Sequence, residues 1–248
     1  MKNGLKDEFQ KLWGQYFAGA DLPIALYYTD DDGIPGPARK EDRCLIANLA
    51  WVRAGTAMRF GAKDIACPGG RRYSGFAEGL RPGFEFFLSC GVPGGMDGER
   101  YKKTPELVRE IMAAAPRFKA PGKNLVFKRW DLLEPSEEPD VVVFFATPDV
   151  LAGLFTLASF DTAEQSGVIA PFAAGCGSIV LYPYLEKDNP RPKAVIGMFD
   201  PSARPYVPAV TLTFAVPTAK FVRMVGDMEE SFLITPTWET IRERIASA

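Results

Sequence analysis

The chain contains no histidine. That excludes Ser-His-Asp and Cys-His catalysis, and it excludes histidine-ligated zinc or haem. Any metal must be held by thiolate, carboxylate or carbonyl. Any general base must be Asp, Glu, Lys, Tyr, a thiolate or water. Cysteine is scarce, with four in 248 residues and no CxxC pair, so a disulfide scaffold is not expected. The longest apolar runs, 141–146 and 150–160, fall well short of the ~20 residues a membrane span needs. Near the start, Lys6, Asp7 and Glu8 leave no apolar h-region, so no signal peptide is expected. Lysines and arginines are scattered and the net charge is -2, which leaves no basic stripe for a phosphate backbone. These absences together point to a soluble cytoplasmic protein with no nucleic-acid and no membrane partner.

What is present is a core. At 248 residues and 47% hydrophobic content, the chain can bury roughly 70–75% of its unfolded surface, and we read one compact domain over 1–248. Leu5, Phe9, Leu12, Tyr16 and Phe17 recur at helical spacing over 3–18. Residues 22–29 read as a strand, and Asp30-Asp31-Asp32-Gly33 as a loop without the spaced ligands of an EF-hand. A helix is expected over 43–54 with Asp42 as N-cap. Residues 84–89 read as a strand with Cys90 at its end, and 91–98 as a glycine-rich loop lacking GK[ST] or GxGxxG. Thr104 and Pro105 open a helix to 114. Residues 125–130 read as a strand, and 140–146 as a buried central one. A sharp turn at Thr147-Pro148-Asp149 leads into a helix to 160. Further strands are expected at 194–199 and 210–216, and helices at 220–230 and 236–245. The four tryptophans, Trp13, Trp51, Trp130 and Trp238, are most simply core. The mixture makes the fold class α+β (mixed α/β), a central mixed sheet flanked by helices.

The stretch with most chemical promise is Ile65-Ala-Cys-Pro-Gly-Gly-Arg-Arg-Tyr-Ser-Gly75. Cys67 precedes a Pro-Gly-Gly turn, and Cys176 lies in Gly175-Cys176-Gly177-Ser178. Glycine turns leave sulfur accessible and free N–H groups to meet negative charge. With Cys44 they form a candidate metal set. Three thiolates suit an iron–sulfur cluster with one open position, or zinc completed by a carboxylate or water. A βαβ-like arrangement would gather such turns at one sheet edge. Equally, a free cysteine packs as a small hydrophobe, and each of the three has that bland reading beside the functional one. Arg71 and Arg72 can clamp a phosphate or carboxylate, or simply be solvated after a turn. Asp200 can cap a turn through Ser202 while Arg204 binds an anion or pairs with Asp200. The candidate ligand-binding residues are therefore Arg71, Arg72, Asp200 and Arg204.

Arg43-Cys44, Cys67-Pro68-Gly69-Gly70, Gly98-Glu99-Arg100-Tyr101, Pro139-Asp140-Val141-Val142, Gly175-Cys176 and Gly197-Met198-Phe199-Asp200-Pro201-Ser202-Ala203-Arg204 together resemble the DUF169 family, an uncharacterised group of archaea and anaerobic bacteria. The resemblance spans roughly residues 5–245. It implies no activity to transfer, and its cysteine-rich character suggests a metal or redox role; Cys90 stands outside the pattern. Two functions follow as expectations. The first is a protein holding a redox centre or metal through cysteine thiolates near a small-ligand pocket. The second is a non-catalytic module for a small anionic molecule using Arg71, Arg72 and Arg204.

Overall fold

A computed structural model describes residues 4–37 and 44–247; the expected cap Asp42 and its neighbour Arg43 lie outside them. The described residues form one seven-stranded sheet. Its strands are β1 (Ile24–Thr29), β2 (Met58–Gly61), β3 (Asn124–Arg129), β4 (Val141–Ala146), β5 (Val168–Ile169), β6 (Ala194–Gly197) and β7 (Leu212–Pro217), in the spatial order β2-β3-β1-β4-β7-β6-β5. All neighbours are antiparallel except β5 and β6. The expectation of a βαβ-like organisation is met only by β5 and β6, a parallel pair joined through the helical residues 177–186; the other described strands pair antiparallel. The α+β class stands, with a mixed sheet and helices on both faces.

Strand β4 shows why the sheet is covered twice. All six of its residues are buried. Val142, Phe144 and Ala146 point into one core, and Val141, Val143 and Phe145 into the other, as the period of two dictates. The first core lies under helices α1 (Leu5–Tyr16), α6 (Pro148–Leu157), α8 (Thr218–Asp227) and α9 (Pro236–Ala246). There Phe9 meets Trp13, Trp130, Phe144 and Phe221 at ring separations of 5.0–6.2 Å. The second core lies under α2 (Leu45–Arg53), a π-helical turn at Gly177–Leu181 and the helix α7 (Tyr182–Glu186) that continues it. The site described below belongs to this second face.

Several local expectations are met. Thr104 accepts a hydrogen bond from Leu107 N at 3.4 Å, capping α5 (Pro105–Ala114), whose first residue is proline. Others are corrected. Residues 84–89 are not a strand. Gly83, at φ 80°, starts a helical turn, α4 (Phe84–Phe87), and its carbonyl accepts from Phe86 N and Phe87 N at 3.1 Å. A left-handed glycine of this kind redirects the chain into a turn, so the Phe-Glu-Phe alternation never meets a partner strand. Cys90 therefore follows a helical turn and is exposed. The turn expected after Cys67 is a short helix, α3 (Pro68–Tyr73), because Pro68 takes the first helical position, where no N–H is needed. Trp51 is not core: it lies on the outer side of α2 and is 58% exposed. No helix among the described residues is long and apolar enough to cross a membrane.

Candidate functional site

Three cysteines stand where helical segments begin. Cys44 is the N-cap of α2, Cys67 is the N-cap of α3, and Cys176 immediately precedes the π-helical turn. Cys44 packs against the second core and Cys176 is part of it. The three differ in access: Cys67 is exposed, Cys44 intermediate and Cys176 buried. Burial holds the Cys176 thiol well above the ordinary cysteine range, and the next contributions come from Cys67, Cys44 and Asp200 in that order. All three neighbours are thus within electrostatic reach of one sulfur. The sequence separates them by most of the chain; the fold gathers them around Cys176. Among the described residues, however, no three Cys, Asp or Glu side chains stand together as a ready metal-ligand set.

The π-helical turn has a local cause. Pro183, the second residue of α7, has no N–H to offer the carbonyl four residues back. The preceding turn widens, and Tyr182 N instead bonds Gly177 O, five residues back. Such widened turns concentrate at functional sites. A glycine is required opposite this turn: a Cβ on Gly197 would overlap Ser178 Oγ and Cβ. At this point the strand β6 backbone packs directly against the Ser178 side chain.

Asp200 ties two of the distant segments together. Its Oδ2 accepts from Gly175 N at 3.3 Å, and its Oδ1 accepts from Ser202 N at 3.0 Å and Ser202 Oγ at 2.8 Å. Its own carbonyl accepts from Ala203 N and Arg204 N at 3.0 and 3.2 Å. The expected capping role is what the structure shows. Glu99 and Tyr101 come to the same place. Burial first, then the Asp200 and Glu99 carboxylates, raise the Tyr101 hydroxyl, while a hydrogen bond with Ser202 opposes them. Beside this loop, Lys102 Nζ lies 3.8 Å from the centre of the Phe172 ring. Tyr73 lines the interior of the site. Burial and the neighbouring Cys176 push it up to about 12, against the lowering effect of Arg72. Two non-glycine residues with positive φ, Arg100 at 55° and Met198 at 66°, sit in the two loops that meet here. Strained backbone of this kind is retained where surrounding structure demands it, and it clusters at working sites.

The arginines divide. Arg72 is buried; its Nη2 donates at 3.4 Å to the carbonyls of Ala115 and Pro116, and its guanidinium lies 5.3 Å from the centre of the Tyr73 ring. Arg204 donates to Thr211 O at 2.5 Å, Ala209 O at 2.6 Å and Pro208 O at 3.4 Å. It closes the loop before β7 and makes no ion pair with Asp200 among the described residues. Of the three, only the Arg71 side chain has no hydrogen-bonding partner among the described residues, and its Nε is shielded from water. It lines an open pocket of about 420 Å³ with Ala62, Lys63, Ile65 and Ala66, next in sequence to Cys67.

Glu99 and Tyr101 enter the sequence pattern only as part of Gly98-Glu99-Arg100-Tyr101, and nothing in it assigns Tyr73 or the π-helical turn to a site. The signals were present: Tyr73 directly follows the Arg pair, and Pro183 sits inside an apolar run. A family model described as uncharacterised ArCR, DUF169, matches residues 20–227 of the chain. No curated protein and no solved structure matches it.

Proposed function

The chain belongs to the DUF169 family, whose description carries no activity, and we propose from the site itself that this protein holds a redox centre or soft metal through the thiolates of Cys44, Cys67 and Cys176. One observation carries the reading: a buried thiol within electrostatic reach of two further thiols and a carboxylate drawn from distant segments. The donor set fits the group. Thiolates select zinc and iron–sulfur clusters, and Asp200 stands by as an oxygen donor. A positive ion also reverses the local electrostatics, since it favours the ionised form of each thiol that the others disfavour. When bound, such a group supplies electron transfer or Lewis acidity. The protein's own part is to present three sulfurs from three helix starts, to shield Cys176 from water and to fix Gly175-Cys176 through Asp200. Loading asks the thiols to close in beyond their present placement.

The test is anaerobic purification followed by metal analysis and visible absorption. Stoichiometric iron or zinc is expected, falling sharply in Cys44→Ser, Cys67→Ser and Cys176→Ser but not in Cys90→Ser. Because Cys176 must shed a tightly held proton to become a ligand, affinity should weaken as pH falls. A metal-free, colourless protein, or loading indifferent to all three substitutions, overturns the proposal.

A further inference from the structure

The pocket at the foot of α3 is lined by an arginine side chain that has no ion pair among the described residues. Arg71 Nε is shielded from solvent and has no protein acceptor among the described residues. The Nε atoms of Arg53 and Arg59 are shielded in the same way, but those two side chains pair with Asp21 and Asp64 through their other nitrogens, whereas Arg71 has no such ion pair among the described residues, and a shielded N–H without an acceptor is costly. The side chain lines a pocket of about 420 Å³, within the range of roughly 300–1,000 Å³ that small-molecule sites occupy. The pocket is built rigidly. On one side, the turn after β2 is closed by Asp64 N to Gly61 O at 3.0 Å and by Gly61 N to Asp64 Oδ2 at 2.8 Å. On the other, Arg71 N bonds Cys67 O at 3.0 Å, which sets Arg71 one helical turn beyond the exposed Cys67.

The lining chooses the ligand. Lys63 already has an interaction of its own, so Arg71 is the charge to be balanced. Ala62, Ile65 and Ala66 supply an apolar wall. A planar guanidinium edge, Nε beside Nη, matches a planar carboxylate in two parallel hydrogen bonds. We infer that this pocket binds the carboxylate of a small organic acid, gripped by Arg71 after a slight turn of its side chain, with its hydrocarbon part on Ala62, Ile65 and Ala66. The inference goes beyond the proposed function and does not depend on the thiols holding metal.

Calorimetric titration tests it with three probes: butyrate, neutral butyramide and inorganic phosphate. Wild type, Arg71→Lys and Arg71→Gln are titrated, each as purified and after chelation, with melting curves to show that the variants fold. Butyrate is expected to bind wild type in both preparations. Butyramide and phosphate are expected to bind at least tenfold more weakly. Arg71→Gln should weaken butyrate by about tenfold or more, and Arg71→Lys by less, since an ammonium keeps the charge but not the fork. No butyrate binding, equal binding of butyramide, tighter binding of phosphate, or an unchanged affinity in folded Arg71→Gln each overturns the inference. So does butyrate binding that vanishes on chelation and survives Arg71→Gln, because the metal would then be the acceptor of the acid. Survival in the chelated protein, whatever the metal analysis finds, keeps this result separate from the thiolate proposal.

Discussion

At the scale of single residues, access separates the cysteines in a way their flanking glycines do not. Gly175 and Gly177 bracket Cys176, yet the thiol is buried, with 7% of its surface exposed. Glycine there serves packing. A Cβ on Gly175 would approach Met198 Sδ to 2.7 Å, and one on Gly177 would approach Ala173 Cβ to 3.1 Å. In metal-free protein, Cys67 and Cys90, both exposed, should therefore take up a thiol reagent well before Cys176, whose thiol is both covered and held protonated. Peptide mapping by mass spectrometry at timed intervals reads the order; Cys176 among the first labelled would contradict it. Gly197 gives a second residue-scale expectation. Gly197→Ala drives a methyl into Ser178, and overpacking of this sort costs roughly 1–3 kcal/mol. Adding Ser178→Gly to that variant should restore part of the loss, read from urea midpoints.

At the scale of elements, the fold builds the site from segment starts and from one carboxylate that joins them. Asp200 holds Gly175 N across from β6 and caps its own turn through Ser202. Asp200→Ala removes these acceptors and should cost about 1–2 kcal/mol, the usual range for a lost cap. It also removes one of the negative neighbours that raise the Cys176 thiol. The rate of Cys176 modification should then rise, and its pH profile should move to lower pH. Asp200→Asn keeps most of the hydrogen bonds but not the charge, so it should move the profile with little loss of stability. A profile unmoved in both variants would show that Asp200 acts on the backbone alone.

At the scale of the whole molecule, the buried acids set how the protein meets alkali. Burial is the leading cause that raises Tyr27, Tyr28, Tyr73 and Cys176. Tyr28 also donates its hydroxyl to Ser74 O at 2.8 Å. A group whose folded pKa is raised binds its proton more tightly when folded. Its stabilising contribution is complete below the unfolded value, about 8.5 for cysteine and about 10 for tyrosine. It is lost as pH climbs from there, for Tyr73 up to about 12. Urea midpoints should accordingly be level near neutrality and fall above about pH 9, and Tyr73→Phe should flatten the decline. A midpoint that rises through that window would reverse the sign and refute the account.

The sequence by itself determined the elements whose periodicity and end signals agree. Helix α1 shows its apolar stripe at Leu5, Phe9 and Leu12; β4 is an unbroken apolar run; α5 opens on Thr104-Pro105. The absence of histidine bounded the chemistry before any fold was known. Local signals failed where two structures satisfy the same pattern. The aromatic run at 84–87 suits a strand until Gly83 takes its left-handed conformation, and Trp51 is as apolar on an outer helix face as in a core. Only the tertiary structure decided which arginines are already engaged. Arg72 and Arg204 meet carbonyls that residue type cannot announce, and Arg71 is left facing a pocket. It alone decided that Cys44, Cys67 and Asp200 come within electrostatic reach of Cys176, since that depends on how the sheet order folds distant loops onto one face. Pairing between strands far apart in sequence is set by the competition of whole faces for burial, and no window of neighbouring residues contains it.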